Sequence, residues 1–176
     1  TVNLTEGSLT INSDGSYTFV PATDFNGNIP QVTYTITDGT VDTVTSTLDI
    51  EVISVNDAPV AVNDTGNTTL EDTAIIVNAI GGNDTDDGSV VASTIVLIDP
   101  SNPANTGNST TPLEILGVGV YAVDAAGNVT FTPEDNFNGV ANIKYTIEDN
   151  DGLASANQGT IGIIVTAVND APVVVS

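Results

Sequence analysis

The sequence predicts an all-β protein built from two tandem antiparallel β-sandwich modules, the first of them incomplete. Three observations carry that expectation. Apolar residues recur with period two and almost nowhere with a helical period. Gly, Asn and Asp punctuate the chain at short intervals, as tight turns require. A block of motifs occurs twice in the same order, which is the mark of repeated modules.

The elements follow in chain order. Val32, Tyr34 and Ile36 alternate with Thr33 and Thr35, after a turn signal at Ser13–Gly15 and before one at Thr37–Gly39. Leu48, Ile50 and Val52 alternate with Asp49 and Glu51. Ile143, Tyr145 and Ile147 alternate with Lys144, Thr146 and Glu148, and DNDG (Asp149–Gly152) closes that strand. Ile161, Ile163 and Val165 form the last such row. Thr, Val and Ile dominate these runs, as expected for half-buried antiparallel strands. DPSNPANTGNSTTP (Asp99–Pro112) predicts a long surface loop.

The repeat sets the module boundaries. GSYTFVPATDFNG at Gly15 matches GNVTFTPEDNFNG at Gly127, an offset of 112 residues. YTITD at Tyr34 matches YTIED at Tyr145, and VNDAPV at Val55 matches VNDAPV at Val168, an offset of 113. Residues 1–58 therefore read as the C-terminal half of a sandwich, and 59–176 as a complete one. PVAVNDT, TTLEDTAIIV, GGNDTDDG and VVASTIVLID of the second module have no counterpart in the first. Either the missing strands lie upstream, or the half-module folds as a reduced sheet against its neighbour. The opening TVNLTEG has neither the basic nor the apolar region of a signal peptide, so the chain reads as an internal piece of something longer.

Composition bounds the chemistry. The 176 residues hold 23 acids against a single base, Lys144, for a net charge of −22. Such a chain repels phosphate, which excludes nucleic acid and anionic membrane surfaces as partners and favours cations. Cys and His are absent, so thiolate, imidazole, zinc and haem sites are excluded, as are Ser–His and Cys–His catalysis. Lack of Cys also removes any disulfide. Hydrophobic residues make up 40%, enough for a core and more than a disordered acidic tail holds. No apolar run approaches the roughly 18 residues of a membrane span.

Taken together, VNDAPVAVNDT, LEDTAIIV, NDTDDG, G-x-(V/Y)-T-F-x-P, DFNG/NFNG, YT-I-x-D and the closing VNDAP resemble a known family. They look like the cadherin-like and bacterial Ig-like tandem repeats, the extender modules of giant RTX-type bacterial surface adhesins. The order of motifs is specific, whereas each alone is weak, and the resemblance covers essentially the whole chain. It implies β-sandwiches strung end to end with Ca²⁺ held at the junctions, on the outside of a bacterial cell. In some relatives a ligand-binding domain interrupts one sandwich, which would account for the half-module.

The resemblance also implies a ligand set. Asn56 and Asp57 are the linker pair, Asp84 and Asp86 the D-x-D loop, Asp149 or Asp151 the acid after the YT-I strand, and Asp24 the acid at the lower end of the first module. These would converge on one junction. Glu71, Asp135, Asn169 and Asp170 would form the equivalent lower end of the second module, completed by a following one. Asp135 stands beside Glu134, so its register is ambiguous, and Asp64 and Asp72 are further candidates with no clear assignment. The chemistry agrees, because Ca²⁺ takes six to eight oxygen ligands from carboxylates and carbonyls. Asx residues in turns also cap their own backbone, a reading that stands beside metal binding for each single Asp. NDTDDG is not an EF-hand loop: the twelfth position from Asp84 is Ile95, not Glu.

The expected function is thus non-enzymatic, a Ca²⁺-stiffened spacer that engages calcium ions and neighbouring modules, with any host glycan or peptide bound through another domain. The alternative is a sugar- or peptide-binding module using the 99–112 loop. Sugar sites favour stacked aromatics, and the chain has four Tyr, four Phe and no Trp. Glycoside hydrolysis needs only two carboxylates, but acids are so plentiful here that some pair is unavoidable.

Overall fold

The computed structural model describes residues 1–40, 42–81 and 83–171. Gly82 of GGNDTDDG and Pro172 and Val173 of the closing VNDAPV lie outside the described residues. Every regular element among the described residues is a β-strand. The chain divides into Thr1–Val55 and Asn56–Ser176. Asn56–Ala58, grouped with the first module on sequence, fall in the second unit, to which the hydrogen bonds of Asn56 and Asp57 run.

In the first unit, β1 (Val2–Leu4), β2 (Gly7–Ile11) and β3 (Tyr17–Pro21) form a three-stranded meander. A short pair joins β4 (Gly27–Asn28) to β7 (Glu51–Val52), and a hairpin joins β5 (Val32–Thr37) to β6 (Thr43–Leu48). Leu9 and Ile29 are its buried apolar side chains.

The second unit is a sandwich. One sheet comprises β8 (Asp64–Leu70), β10 (Val90–Ile98), β11 (Thr106–Gly107), β15 (Gly139–Asp149) and β16 (Gly159–Thr166), in the order β11-β10-β15-β16-β8. The other comprises β9 (Ile75–Asn78), β12 (Leu113–Ile115), β13 (Gly119–Val123) and β14 (Asn128–Pro133), in the order β12-β13-β14-β9. Alternation works as the sequence predicts: Ala141, Ile143, Tyr145 and Ile147 point into the core, while Asn142 and Lys144 face water. Ile161, Ile163 and Val165 do the same on β16. The facing sheet contributes Val77, Leu113, Tyr121, Val129 and Phe131, with the Tyr121 and Phe131 rings stacked 4.5 Å apart.

Two pairings depart from a plain antiparallel ladder. β8 runs parallel to β16, and its register slips where Ile161 faces Asp64 but Ile163 faces Asn67. Gly66 absorbs the extra residue with φ of 86°. The Asn67 amide fills the gap by donating to the carbonyls of Asp64 (2.9 Å) and Gly162 (3.1 Å). β10 bulges between Val91 and Val96. Thr94 Oγ1 closes that bulge, donating to the Val91 carbonyl at 2.7 Å and accepting from the Glu148 amide at 2.9 Å. The 99–112 stretch is not featureless. β11 lies within it, and Asp99 accepts from the Ser101 amide (2.8 Å) as Asn108 does from those of Thr110 and Thr111 (2.9 and 3.1 Å).

Gly159 pairs with Tyr145 across β15 and β16. A methyl group there would lie 2.3 Å from Tyr145 Cε1 and 2.5 Å from Cζ, so the ring packs flat on bare backbone. Gly159→Ala is expected to lower stability by roughly 2–3 kcal/mol through overpacking, read as the midpoint of denaturant unfolding. An unchanged midpoint would mean the ring does not occupy that space.

Candidate metal-binding ends of the second unit

The entering segment is tied to the NDTDDG loop by its own backbone. The Val60 amide donates to the Thr85 carbonyl at 2.9 Å and the Thr85 amide returns to Val60 at 3.3 Å. Asn157 clamps the same segment, accepting from the Ala61 amide at 3.0 Å and donating to the Ala61 carbonyl at 2.6 Å. These bonds bring the Asx-rich loops to one end of the sandwich.

Asp149 closes β15 and is 2% exposed. Its Oδ1 accepts from the Asp151 and Leu153 amides, both at 2.8 Å, and its Oδ2 from the Asn56 side-chain amide at 2.7 Å. The Asn56 bond, helped by those amides, holds the carboxyl below the usual Asp range. Of the two acids the sequence leaves open after this strand, Asp149 is thus buried and fully bonded, while Asp151 is exposed and contributes its backbone amide. Asp57 is exposed too, with its amide donating to Asp87 Oδ1 at 3.4 Å.

Asp84 and Asp86 sit differently. Asp84 Oδ1 accepts from the Val62 amide at 2.7 Å and lies 3.0 Å from the Tyr145 hydroxyl. That hydroxyl also meets Asp64 Oδ2 at 3.2 Å and the carbonyls of Val62 and Ala79 at 2.6 and 3.2 Å. One O–H has one proton to give, so the acceptors around it outnumber the donor. Burial pushes both Asp64 and Asp84 above the ordinary Asp value, and for Asp64 the Asp84 charge adds to it. The Tyr145 hydroxyl is pushed up by burial and by these two acids. Asp86 Oδ2 accepts from the Gly88 amide at 3.2 Å. Gly88 lets the loop reach Asn150, since a Cβ there would be 2.8 Å from Asn150 Oδ1, which accepts from the Ser89 amide at 3.0 Å.

Three oxygens in this region, Asn83 Oδ1, Asp84 Oδ2 and Asp86 Oδ1, are buried without a hydrogen-bond donor. Buried polar atoms are nearly always paired, and three orphans that are all hard oxygen acceptors suit a divalent cation of the calcium class. Among the described residues no three acidic side chains by themselves gather as a metal cage, and one of the three orphans is the Asn83 amide oxygen. Asn83, Asp87, Asn150 and Tyr145 also belong to this end and were not among the residues picked from sequence, and Asp64, a candidate without an assignment there, joins them.

At the far end, Glu71 is 6% exposed. It accepts from the Val168 amide through Oε1 and from the Asn138 side chain through Oε2 at 3.4 Å. Asp72 Oδ1 accepts from the Asn136 amide at 2.9 Å. The hydrogen bonds here run from Glu71 and Asp72 to Asn136, Asn138 and the Val168 backbone. Asp135 and Asp170 are exposed outside that network, and the Asn169 side chain donates to the Asp170 carbonyl at 3.3 Å. In the first unit Asp24 is exposed with φ of 59°, matching the 60° of Asn136. The repeat aligns Asp24 with Asn136, not with Asp135.

Comparison with known proteins follows the same division. A family model described as bacterial cadherin-like domain matches residues 56–167, and one described as cadherin-like domain matches residues 1–53. No curated protein matches the chain. Among solved structures, the protocadherin GammaB4 extracellular domain is similar at 17% identity and a TM-score of 0.44 over 92% of this chain, which spans 25% of that one. The first match covers well over half the chain with the whole second sandwich inside it, so the chain belongs to the bacterial cadherin-like domain family.

Proposed function

We propose that this chain is a non-catalytic extender segment of a bacterial cell-surface adhesin, stiffened by calcium at the end of the second unit where the linker enters. The observation that carries this reading is the trio of buried, donor-less oxygens on Asn83, Asp84 and Asp86. A bound divalent cation would supply the positive charge these oxygens lack. Asn83, Asp84 and Asp86 would hold it, with Asp64, which accepts from the Asn83 amide at 2.9 Å, as a neighbouring carboxylate.

The chain's own residues explain why such a site would stiffen a linker. The Asp57 amide is pinned to Asp87 and Val60 to Thr85, so these two hang on the loop that carries the orphan oxygens, while Asn56 is pinned to Asp149 at the end of β15. Fixing that loop fixes the linker. Without compensation, the close carboxylates of a −22 chain repel one another and loosen the same loop. The sugar-binding alternative gains nothing from the 99–112 loop, which contains no aromatic residue and whose Asp99 and Asn108 side chains cap its own turns.

Calorimetric titration of the intact chain with calcium tests the site. Heat of binding with a Kd of roughly 10⁻⁴–10⁻³ M is expected, and Asp84→Asn with Asp86→Asn should weaken it at least about tenfold. The Asn56–Ala58 amides should exchange more slowly in calcium than in chelator. Equal exchange in both would end the stiffening role even if binding were seen.

A further inference from the structure

The segment that enters the second unit is held along both of its edges. In an extended chain the N–H and C=O of one residue point to one side, and those of the next residue to the other. Val60 and Val62 turn theirs toward the NDTDDG loop. Val60 exchanges both backbone bonds with Thr85, and the Val62 amide donates to Asp84 Oδ1 at 2.7 Å. Ala61 turns its amide and carbonyl the opposite way, and both meet the Asn157 side chain, at 3.0 and 2.6 Å. A carboxamide offers a donor and an acceptor side by side, so Asn157 stands in for the peptide group of a neighbouring strand. Ala61 is 3% exposed and part of the core, where a backbone pair left without partners is costly.

Asn157 is itself anchored to β15 and not to the NDTDDG loop. Ser155 Oγ donates to the Asn157 carbonyl at 2.9 Å, and the Ser155 amide donates to the Ile147 carbonyl at 2.8 Å. The β15–β16 loop and its Asp149 root therefore grip the entering segment at Asn56 and Ala61. The NDTDDG loop grips it at Asp57, Val60 and Val62. The three orphan oxygens all lie on the second of these loops.

We propose that Asn157 is a positioning residue for the candidate cation site: it fixes Ala61 from the edge away from the orphan oxygens, and through Val60 and Val62 it sets the position of Thr85 and the Asp84 carboxylate. Its effect on affinity rests on the cation reading above, whereas the coupling of the two edges stands without it.

The test compares the full chain with Asn157→Ala, and with Gln158→Ala at the exposed neighbouring position, by calcium calorimetry and amide hydrogen exchange. Asn157→Ala should raise the calcium Kd about tenfold, as loss of a residue that orients ligands from behind does. Gln158→Ala should leave it unchanged. In chelator, Asn157→Ala should cost the Val62 and Thr85 amides their protection as well as Ala61, with β14–β16 unchanged. That pattern separates coupling across the segment from a local cap and from general unfolding. Should β14–β16 loosen too, the same exchange is read in Asn157→Asp, which keeps the acceptor for the Ala61 amide and loses only the donor. Loss of protection confined to Ala61 overturns the proposal. So does an unchanged Kd where the wild type binds, or an equal loss in Gln158→Ala. A wild type that binds no calcium would end the cation reading alone, and exchange in chelator would still decide whether Asn157 positions the loop.

Discussion

Asp149→Ala is expected to lower the urea midpoint of the second unit more than any other single-acid change, because it orphans three donors around one carboxylate. Those donors are the Asp151 and Leu153 amides and the Asn56 side chain, at 2.7–2.8 Å from an acid that is 2% exposed. Hydrogen bonds to a charged acceptor are stronger than neutral ones, and coupling among them keeps the total below their sum. The same bonds hold the Asp149 carboxyl low. Its contribution is therefore present above the unfolded Asp value of about 3.9 and lost as the pH falls through the lower folded value. The deficit of Asp149→Ala should shrink below about pH 4, as the wild type loses the same bonds. Asp149→Asn keeps the shape but turns one acceptor into a donor facing Asn56, so it should fall between the two. Urea unfolding followed by far-UV circular dichroism measures all three proteins. An unchanged midpoint for the Ala variant would mean that water replaces the carboxylate and that the turn does not depend on it.

Asp149 also shows what was legible in the sequence. Period-two alternation over Ile143, Tyr145 and Ile147 fixed the core face of β15, and extending it one step places Asp149 on that face and Asn150 off it. Parity separates Asp149 from Asp151 only once the strand's end is known, since both share it; the chain turns between them at Asn150. The core was readable because burial follows alternation. The β8 contribution was not, because DTGNTTL has no apolar row and its parallel, slipped pairing with β16 is a long-range event. Asp64 was unassigned for that reason, although it shares the Tyr145 hydroxyl with Asp84. Tyr145 reads as a core residue, and its ring is one, but its hydroxyl serves the acidic end. At the far end, ED at Glu134–Asp135 suggested an acid. The left-handed backbone shared by Asp24 and Asn136 shows that the repeat placed Asn136 in that turn instead.

Roughly 10 mM calcium is expected to raise the melting temperature of the second unit by on the order of 10 °C, and Asp84→Asn should reverse sign between chelator and calcium. Ion binding to the folded state alone contributes RT ln(1 + [L]/Kd), about 2.7 kcal/mol at one hundred times Kd. A domain of this size shifts by about 4 °C per kcal/mol. The variant separates the metal from the hydrogen bonds. Burial raises both Asp64 and Asp84 in the folded state. Acids raised in this way give stability that is full below the unfolded value of about 3.9 and lost as the pH rises through the folded values. At neutral pH in chelator, the ionised Asp84 is therefore a burden on the fold. Asparagine removes that charge and still offers an oxygen to the Val62 amide and the Tyr145 hydroxyl, so Asp84→Asn should melt at or above the wild type in chelator. In calcium it lacks one of the charged oxygens left without a donor, so it should gain less than about a third of the wild-type shift and melt below it. Scanning calorimetry of both proteins in EDTA and in calcium gives four numbers, and the crossing is the result to look for. Parallel losses in both buffers would make Asp84 a structural hydrogen-bond partner only. Identical wild-type melting with and without calcium would remove the cation from this end altogether.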